Sequence, residues 1–325
     1  MMRKPYCYSL FLFVLLLAGS LQAAESLPTA EASRLIDRAN QAARQLSYQG
    51  VYVHQHGDMV ENFRIMQLVE GGAEQERCES LDGPAREYVR TGNQYHMYHA
   101  DTPLSIALDR MAVSRFFPRL THSVGDVLAS YQLRRLGRDR VAGLDADVYQ
   151  LEPRDGLRYP HRLWLHEGSG LLLKSMMLGA RREPIETYTF SEIRLGGGFD
   201  RKLLKPTTPV RPVVMESSEG KPLLAGLDSQ WDIRNLPPGF VLQKQIVRKP
   251  KGEKARKVQH LVYTDGLVTV SIFLDPSQVQ LAPGLAQQGG MHLFVRPLNG
   301  QTVTVLGEVP GETVKAFAHA FNPRQ

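Results

Sequence analysis

The 325-residue chain has two cysteines, Cys7 and Cys78. Cys7 falls in a leader-like segment, so the mature chain keeps one thiol and no internal disulfide. Stability then has to come from packed cores alone. Cys78 stands between Arg77 and Glu79 with no adjacent base and no resolving partner, which argues against a nucleophile. Nucleotide and hydrolase motifs are missing: there is no Gly-x-x-x-x-Gly-Lys, no Gly-x-Ser-x-Gly and no His-Glu-x-x-His. Gly196-Gly197-Gly198 lacks the following helix that lets a glycine loop hold phosphate, and reads as a hinge. No set of nucleophile, base and oxyanion donors assembles, so the chain reads as a non-enzyme with no cofactor. Beyond the leader no apolar run approaches the ~18 residues of a membrane helix.

The leader consists of Arg3 and Lys4, an apolar run from Leu10 to Ala18, and small or polar residues up to Ala23. That is the pattern of a secretory signal peptide over residues 1–23. The roughly 300 residues that remain exceed the ~100–200 of a usual domain, which predicts two. Charge divides them. Residues 24–200 carry 21 Lys+Arg against 24 Asp+Glu, a net −3, with Lys174 the one lysine; residues 201–325 carry 16 against 9, a net +7. In an exported chain nucleic acid is left out as a partner, and the basic excess points to acidic peptide or anionic lipid.

Apolar residues at Ala32, Leu35, Ile36, Ala39, Ala42, Ala43 and Leu46 have the spacing of an amphipathic helix over Glu31 to Leu46, which Thr29 would cap. From Tyr48 the period becomes two. Two alternating runs split by Gly57-Asp58 predict a hairpin, and strands follow at hairpin spacing as far as Leu195, interrupted by a loop region after His99. One long antiparallel meander results, expected to curl under its helix. Pro206, Pro209 and Pro212 open a connector, residues 201–228. Trp231 to Phe240, with its Pro-Pro-Gly corner, leads into residues 229–325, where hairpins turn at Asp265-Gly266 and Asn299-Gly300 before a closing helix over Glu312 to Phe321. The fold class is mostly β: a large N-terminal antiparallel, curled sheet with helices over residues 24–200 and a small C-terminal α+β domain.

The sheet is rich in aromatics and methionine: Phe63, Ile65, Met66, Tyr88, Tyr95, Met97, Trp164, Met176, Tyr188 and Phe190. As core they need no further role. A curled sheet under a single helix leaves part of its concave face open, however, and there they would line a cleft for an acyl chain or an apolar peptide. Arg115, Phe116, Phe117 and Arg119 combine cation and ring; they read as a gate of that cleft or as a packed surface loop. Lys244, Arg248 and Lys249 begin a basic run to Lys257, either a solvated loop or a contact for phosphates and carboxylates. His54 and His56 lie two apart on one strand without further evident metal ligands, so no metal is expected.

Several pieces, taken in order, resemble the RseB/MucB family: Leu46-Ser47-Tyr48-Gln49-Gly50, Val141-Ala142-Gly143, Gly170 to Ser175, Trp231 to Phe240, Tyr263 to Leu267, Ser271-Ile272-Phe273 and Val303 to Pro310. They span nearly the whole mature length. The resemblance implies an N-terminal half-barrel similar to lipoprotein-carrier folds and a smaller C-terminal domain. It implies a periplasmic, non-enzymatic regulator of the sigma-E response that binds the periplasmic domain of a membrane-spanning, RseA/MucA-like anti-sigma factor. That segment would be shielded from the site-1 protease until lipopolysaccharide or lipid A releases it. The second cysteine of some relatives is absent, so redox control has no pair here. The residues themselves also fit a periplasmic lipid or lipoprotein carrier, and an oligomer is left open.

Overall fold

The computed structural model describes residues 26–91, 94–99, 102–108, 124–198, 200–207, 231–248, 258–277 and 281–323. The leader, the loop carrying Arg115, Phe116, Phe117 and Arg119, most of the connector, and Lys249 lie outside these residues.

Helix α1 (Thr29–Gln45) is followed by β1 (Tyr48–His56), β2 (Met59–Glu70), β3 (Ala73–Ser80), β4 (Arg86–Thr91), β5 (Gln94–His99) and β6 (Thr102–Leu108). Helix α2 (Val124–Ser130) then leads into β7 (Tyr131–Val141), β8 (Leu144–Pro153), β9 (His161–His166), β10 (Leu172–Leu178) and β11 (Pro184–Leu195). The eleven strands form one antiparallel sheet in the order β6-β5-β4-β3-β2-β1-β11-β10-β9-β8-β7. This differs from the single meander expected. Two meanders lie side by side, because β11 returns to pair with β1 (Tyr52 opposite Phe190, His54 opposite Tyr188). The chain thus passes from one edge of the sheet at β6 to the other at β7. Those edges do not meet among the described residues, so the sheet stays open.

Two elements replace the loop expected after His99. Strand β6 contains Pro103, which cannot donate to a ladder and is tolerated because β6 is an edge. Helix α2 is too short to show a helical period.

Alternation in the strands assigns the faces. Phe63, Ile65 and Gln67 of β2 stand opposite Tyr52, Gly50 and Tyr48 of β1 and share the face that α1 covers with Ala32, Ile36 and Ala42. Thr29 opens α1 rather than capping it: Pro28 holds the N-cap position, and no side chain caps that end. At the other end Gln67 Nε2 donates to the carbonyls of Ala43 (2.8 Å) and Leu46 (2.9 Å), two of the groups a helix leaves without partners. Arg38 ties the helix to the β9–β10 turn through the carbonyls of Glu167 and Gly168. On the reverse face a single 3-10 turn, Arg201–Leu204, packs Leu204 on Met66 and Leu68.

The second sheet has the order β13-β14-β15-β18-β17-β16, built from β13 (Val241–Arg248), β14 (Val258–Thr264), β15 (Thr269–Asp275), β16 (Gly284–Gln288), β17 (Met291–Leu298) and β18 (Gln301–Gly307). Before it, β12 (Trp231–Ile233) pairs with the terminal β19 (Phe321–Pro323), which follows α3 (Gly311–Ala320). Val314, Phe317 and Phe321 are fully enclosed with Trp231 and Phe240 in a separate core, each contributing on the order of 2 kcal/mol by burial. Phe317 meets Phe240 edge to face at 5.2 Å. Asn299 (φ +50) and Gly300 (φ +78) make the two-residue turn of β17–β18. The Asp265-Gly266 turn is wider than expected, since Thr264 pairs with Thr269. The Asp265 carboxylate takes the N–H groups of Leu267 and Val268 out of the ladder.

Candidate functional site

The helix-covered face of the larger sheet is organised around Tyr52, which is fully buried. Phe63 stacks on its ring at 5.2 Å, Phe190 meets it edge-on at 6.1 Å and Tyr188 lies at 6.3 Å. The Tyr52 hydroxyl is 3.5 Å from Cys78 Sγ. Burial pushes both groups well above their ordinary pKa, and for Tyr52 the neighbouring thiol adds to the rise. Cys78 is therefore a protonated, enclosed thiol that packs rather than reacts.

Toward the β1–β2 turn the face becomes polar. His54 stacks on Tyr188 at 4.2 Å and pairs with Glu186 Oε1 at 2.8 Å, and the Tyr188 hydroxyl donates to the same oxygen at 2.9 Å. Burial works to raise the Glu186 carboxyl, but the hydrogen bonds from His54 and Tyr188 outweigh it and hold the carboxyl below its usual value. His54 is thus occupied by its contact with Glu186. Among the described residues, no group of three or more His, Cys, Asp and Glu side chains is arranged to hold a metal.

Toward β4 and β5 the same face opens. Cys78 stands opposite Tyr88, and Tyr88 opposite Met97; both Tyr88 and Met97 are half-buried. Tyr95 shares their register, two positions from Met97 along β5. Arg86 and Arg90 border this stretch, paired with Glu61 and Glu74.

The twelve apolar residues read as one cleft therefore divide. Phe63, Ile65, Tyr188 and Phe190 are enclosed around Tyr52; Tyr88, Tyr95 and Met97 continue that face outward. Met66 belongs to the reverse face with Leu68 and Leu204, whereas Trp164 is part of the same buried cluster as Tyr52 and Met176 packs against that cluster. Trp164 Nε1 donates to Asp139 at 2.9 Å, holding that carboxyl below its usual value, and Lys174 sits 4.4 Å above the indole. A β-bulge between Arg135 and Gly137 rotates the second half of β7, and this turns Asp139 toward Trp164. Phe116, Phe117, Arg115, Arg119 and Lys249 lie outside the described residues, and Arg248 is placed by its backbone, opposite Val258. Lys244 is half-buried in β13.

Sequence reasoning passed over Arg158 and Asp265, which two separate loops bring together where the sheets meet. Neither shows any local signal beyond a charge beside a turn.

The pattern of the MucB/RseB N-terminal domain matches residues 31–208, and that of the MucB/RseB C-terminal domain residues 226–322. The chain belongs to the MucB/RseB family. Among curated relatives of this MucB/RseB chain, the sigma factor AlgU regulatory protein MucB of Pseudomonas aeruginosa is 30% identical over 95% of this chain and 96% of its own. The sigma-E factor regulatory protein RseB of Haemophilus influenzae is 26% identical over 92% and 93%. A crystal structure of MucB in complex with MucA(peri) matches with a TM-score of 0.71 at 27% identity, covering 90% of this chain and 99% of that one. The MucB/RseB fold is thus shared across both sheets. No helix among the described residues is long and apolar enough to cross a membrane.

Proposed function

We propose that this MucB/RseB-family protein is a periplasmic regulator that binds the periplasmic segment of a membrane-spanning, RseA/MucA-like anti-sigma factor. It shields the segment from site-1 proteolysis and so restrains sigma-E activation. Lipopolysaccharide, through lipid A, releases the hold. The observation that carries this reading is the end-to-end similarity to MucB, a protein solved in complex with MucA(peri). The half-buried Tyr88 and Met97, with Tyr95 in the same register and Arg86 and Arg90 at the border, offer an apolar surface with cations at its margin, a combination suited to acyl chains with phosphates or to an amphipathic segment. Lys244, Arg248 and Lys249 supply the basic contact on the second sheet, and Arg115 and Arg119 with Phe116 and Phe117 the gate.

Immobilised anti-sigma periplasmic segment tests this. The wild-type chain is expected to be retained at physiological salt and displaced by added lipid A, and charge reversal of Lys244, Arg248 and Lys249 to glutamate is expected to weaken retention roughly tenfold or more. No retention of the wild type would overturn the regulatory reading. Acyl-chain binding without any peptide binding would favour a lipid carrier instead.

A further inference from the structure

Two charges are hidden where the two sheets meet. Arg158, from the loop between β8 and β9, and Asp265, from the turn between β14 and β15, have side chains 1% and 0% exposed. Arg158 Nε donates to Asp265 Oδ2 at 2.6 Å, Nη1 to Asp155 at 2.6 Å, and Nη2 to the Pro238 carbonyl at 2.8 Å; the guanidinium lies 4.4 Å from the centre of the Phe240 ring. Asp265 is equally full. Its Oδ1 accepts from the N–H groups of Leu267 and Val268, and its Oδ2 also from the Tyr131 hydroxyl at 3.2 Å. The Pro-Pro-Gly corner presses against this group: a Cβ on Gly239 (φ +75) would lie 2.6 Å from Ser130 Oγ and 2.8 Å from Arg158 Nη2.

The other contacts across the junction are small or polar. Thr313 Oγ1 donates to the Leu157 carbonyl at 2.7 Å, the Tyr159 hydroxyl faces His292 Nδ1 at 3.5 Å, and the Gly289-Gly290 turn rests on His56 and Met177. Leu267 packs against both cores. Such a junction is closely fitted, and its described contacts combine hydrogen bonds with the packing of Leu267 and Met177.

The physics of a buried ion pair suits reversible closure. Drawing the two ions together offsets the hydration they lose, so the pair defines one geometry without contributing much to holding it. When the sheets part, both ions regain water. When Arg158 is removed, Asp265 is left charged and dry unless the junction opens; when Asp265 is removed, Arg158 keeps only the partly exposed Asp155 as a counter-charge.

We propose that Arg158 and Asp265 form a latch. While it is intact the two domains sit closed in one register; when it is broken they separate as folded units. The inference does not depend on the regulatory reading above.

Pulsed electron-spin distance measurement on the full mature chain, labelled at Leu136→Cys and Leu285→Cys, tests the latch. Both positions are exposed, one in each domain, whereas Cys78 is buried and stays unlabelled. The wild type is expected to give one narrow distance. Asp265→Asn is expected to broaden and lengthen it, raising the open fraction roughly tenfold or more, with far-ultraviolet dichroism unchanged. Adding Arg158→Met to Asp265→Asn leaves no dry charge and is expected to narrow the distance again. A narrow wild-type distance in Asp265→Asn, or a double variant as open as the single one, overturns the proposal. Hydrogen exchange in the unaltered protein gives a check independent of any variant's folding. The amides of Leu267 and Val268 are expected to exchange by an opening that leaves Leu261 and Leu163 protected; exchange of all four only through global unfolding would refute the latch.

Discussion

The surroundings of Tyr52 and of Asp265 are equally dry and opposite in kind. Around Tyr52, rings and a protonated thiol fill space with few directional demands, and all of it comes from one sheet and its helix. Around Asp265, each polar atom has an assigned partner, and the partners come from two sheets. The first arrangement stores free energy by burial, which is lost whenever the parts separate. The second specifies position, and much of what it gains on closing replaces water contacts that return on opening. The chain thus has a tightly held interior in one domain and a joint that can part without unfolding either.

The largest way to break this contrast is Tyr52→Ala. It removes a fully buried ring that touches Phe63, Tyr188 and Phe190, and is expected to destabilise the N-terminal sheet by about 3–5 kcal/mol. Urea unfolding followed by far-ultraviolet dichroism would show an earlier transition. A shift below about 1 kcal/mol would mean the ring cluster collapses around the gap and is no rigid interior.

Acid sharpens the comparison, because a histidine lies between the two regions. His161, 6.4 Å from the Tyr131 ring, is half-buried, and its Nε2 is enclosed with no hydrogen-bond partner. Burial lowers its pKa from 6.5 to about 4, partly opposed by the carboxylates of Asp265 and Glu186. The folded form therefore keeps it neutral while the unfolded chain takes up a proton as pH falls below about 6.5. Its contribution is complete above that pH and is lost between about 6.5 and 4. The expected loss from pH 7 to pH 5 is about 2 kcal/mol, read from urea midpoints, and His161→Leu should flatten that dependence. An unaltered slope in the variant would show that other groups govern acid sensitivity.

How much of this was legible in the sequence follows from distance along the chain. The Asn299-Gly300 turn, the alternation of β1 and β2, and the aromatic bracket of Trp231 and Phe240 are local, and the structure has each where the residues predict it. The pairing of β1 with β11 joins residues 130 or more apart and leaves no local trace, so two meanders read as one. Face assignment failed for a related reason. Met66 is as apolar as Phe63, and only the alternation along β2 places it on the other side, against Leu204. Arg158 and Asp265 look like solvated turn residues until two loops meet. Burial of a charge is a tertiary fact.

The smallest expected effect concerns Gln67, a fully buried polar side chain on the same face as the Tyr52 cluster. Its amide donates to two carbonyls at the C-terminus of α1, so it positions the helix much as Asp265 positions the second sheet. Gln67→Leu keeps nearly the same volume and removes the donors, isolating orientation from packing. Leaving those carbonyls without Gln67 should destabilise the domain by about 1–2 kcal/mol and speed amide exchange in the last turn of α1, with the strands unaffected. If the variant is as stable as the wild type and α1 exchanges no faster, water or apolar contact suffices to seat the helix. Directional bonding would then be confined to the junction, and the contrast between the two regions would be sharper than the hydrogen bonds alone suggest.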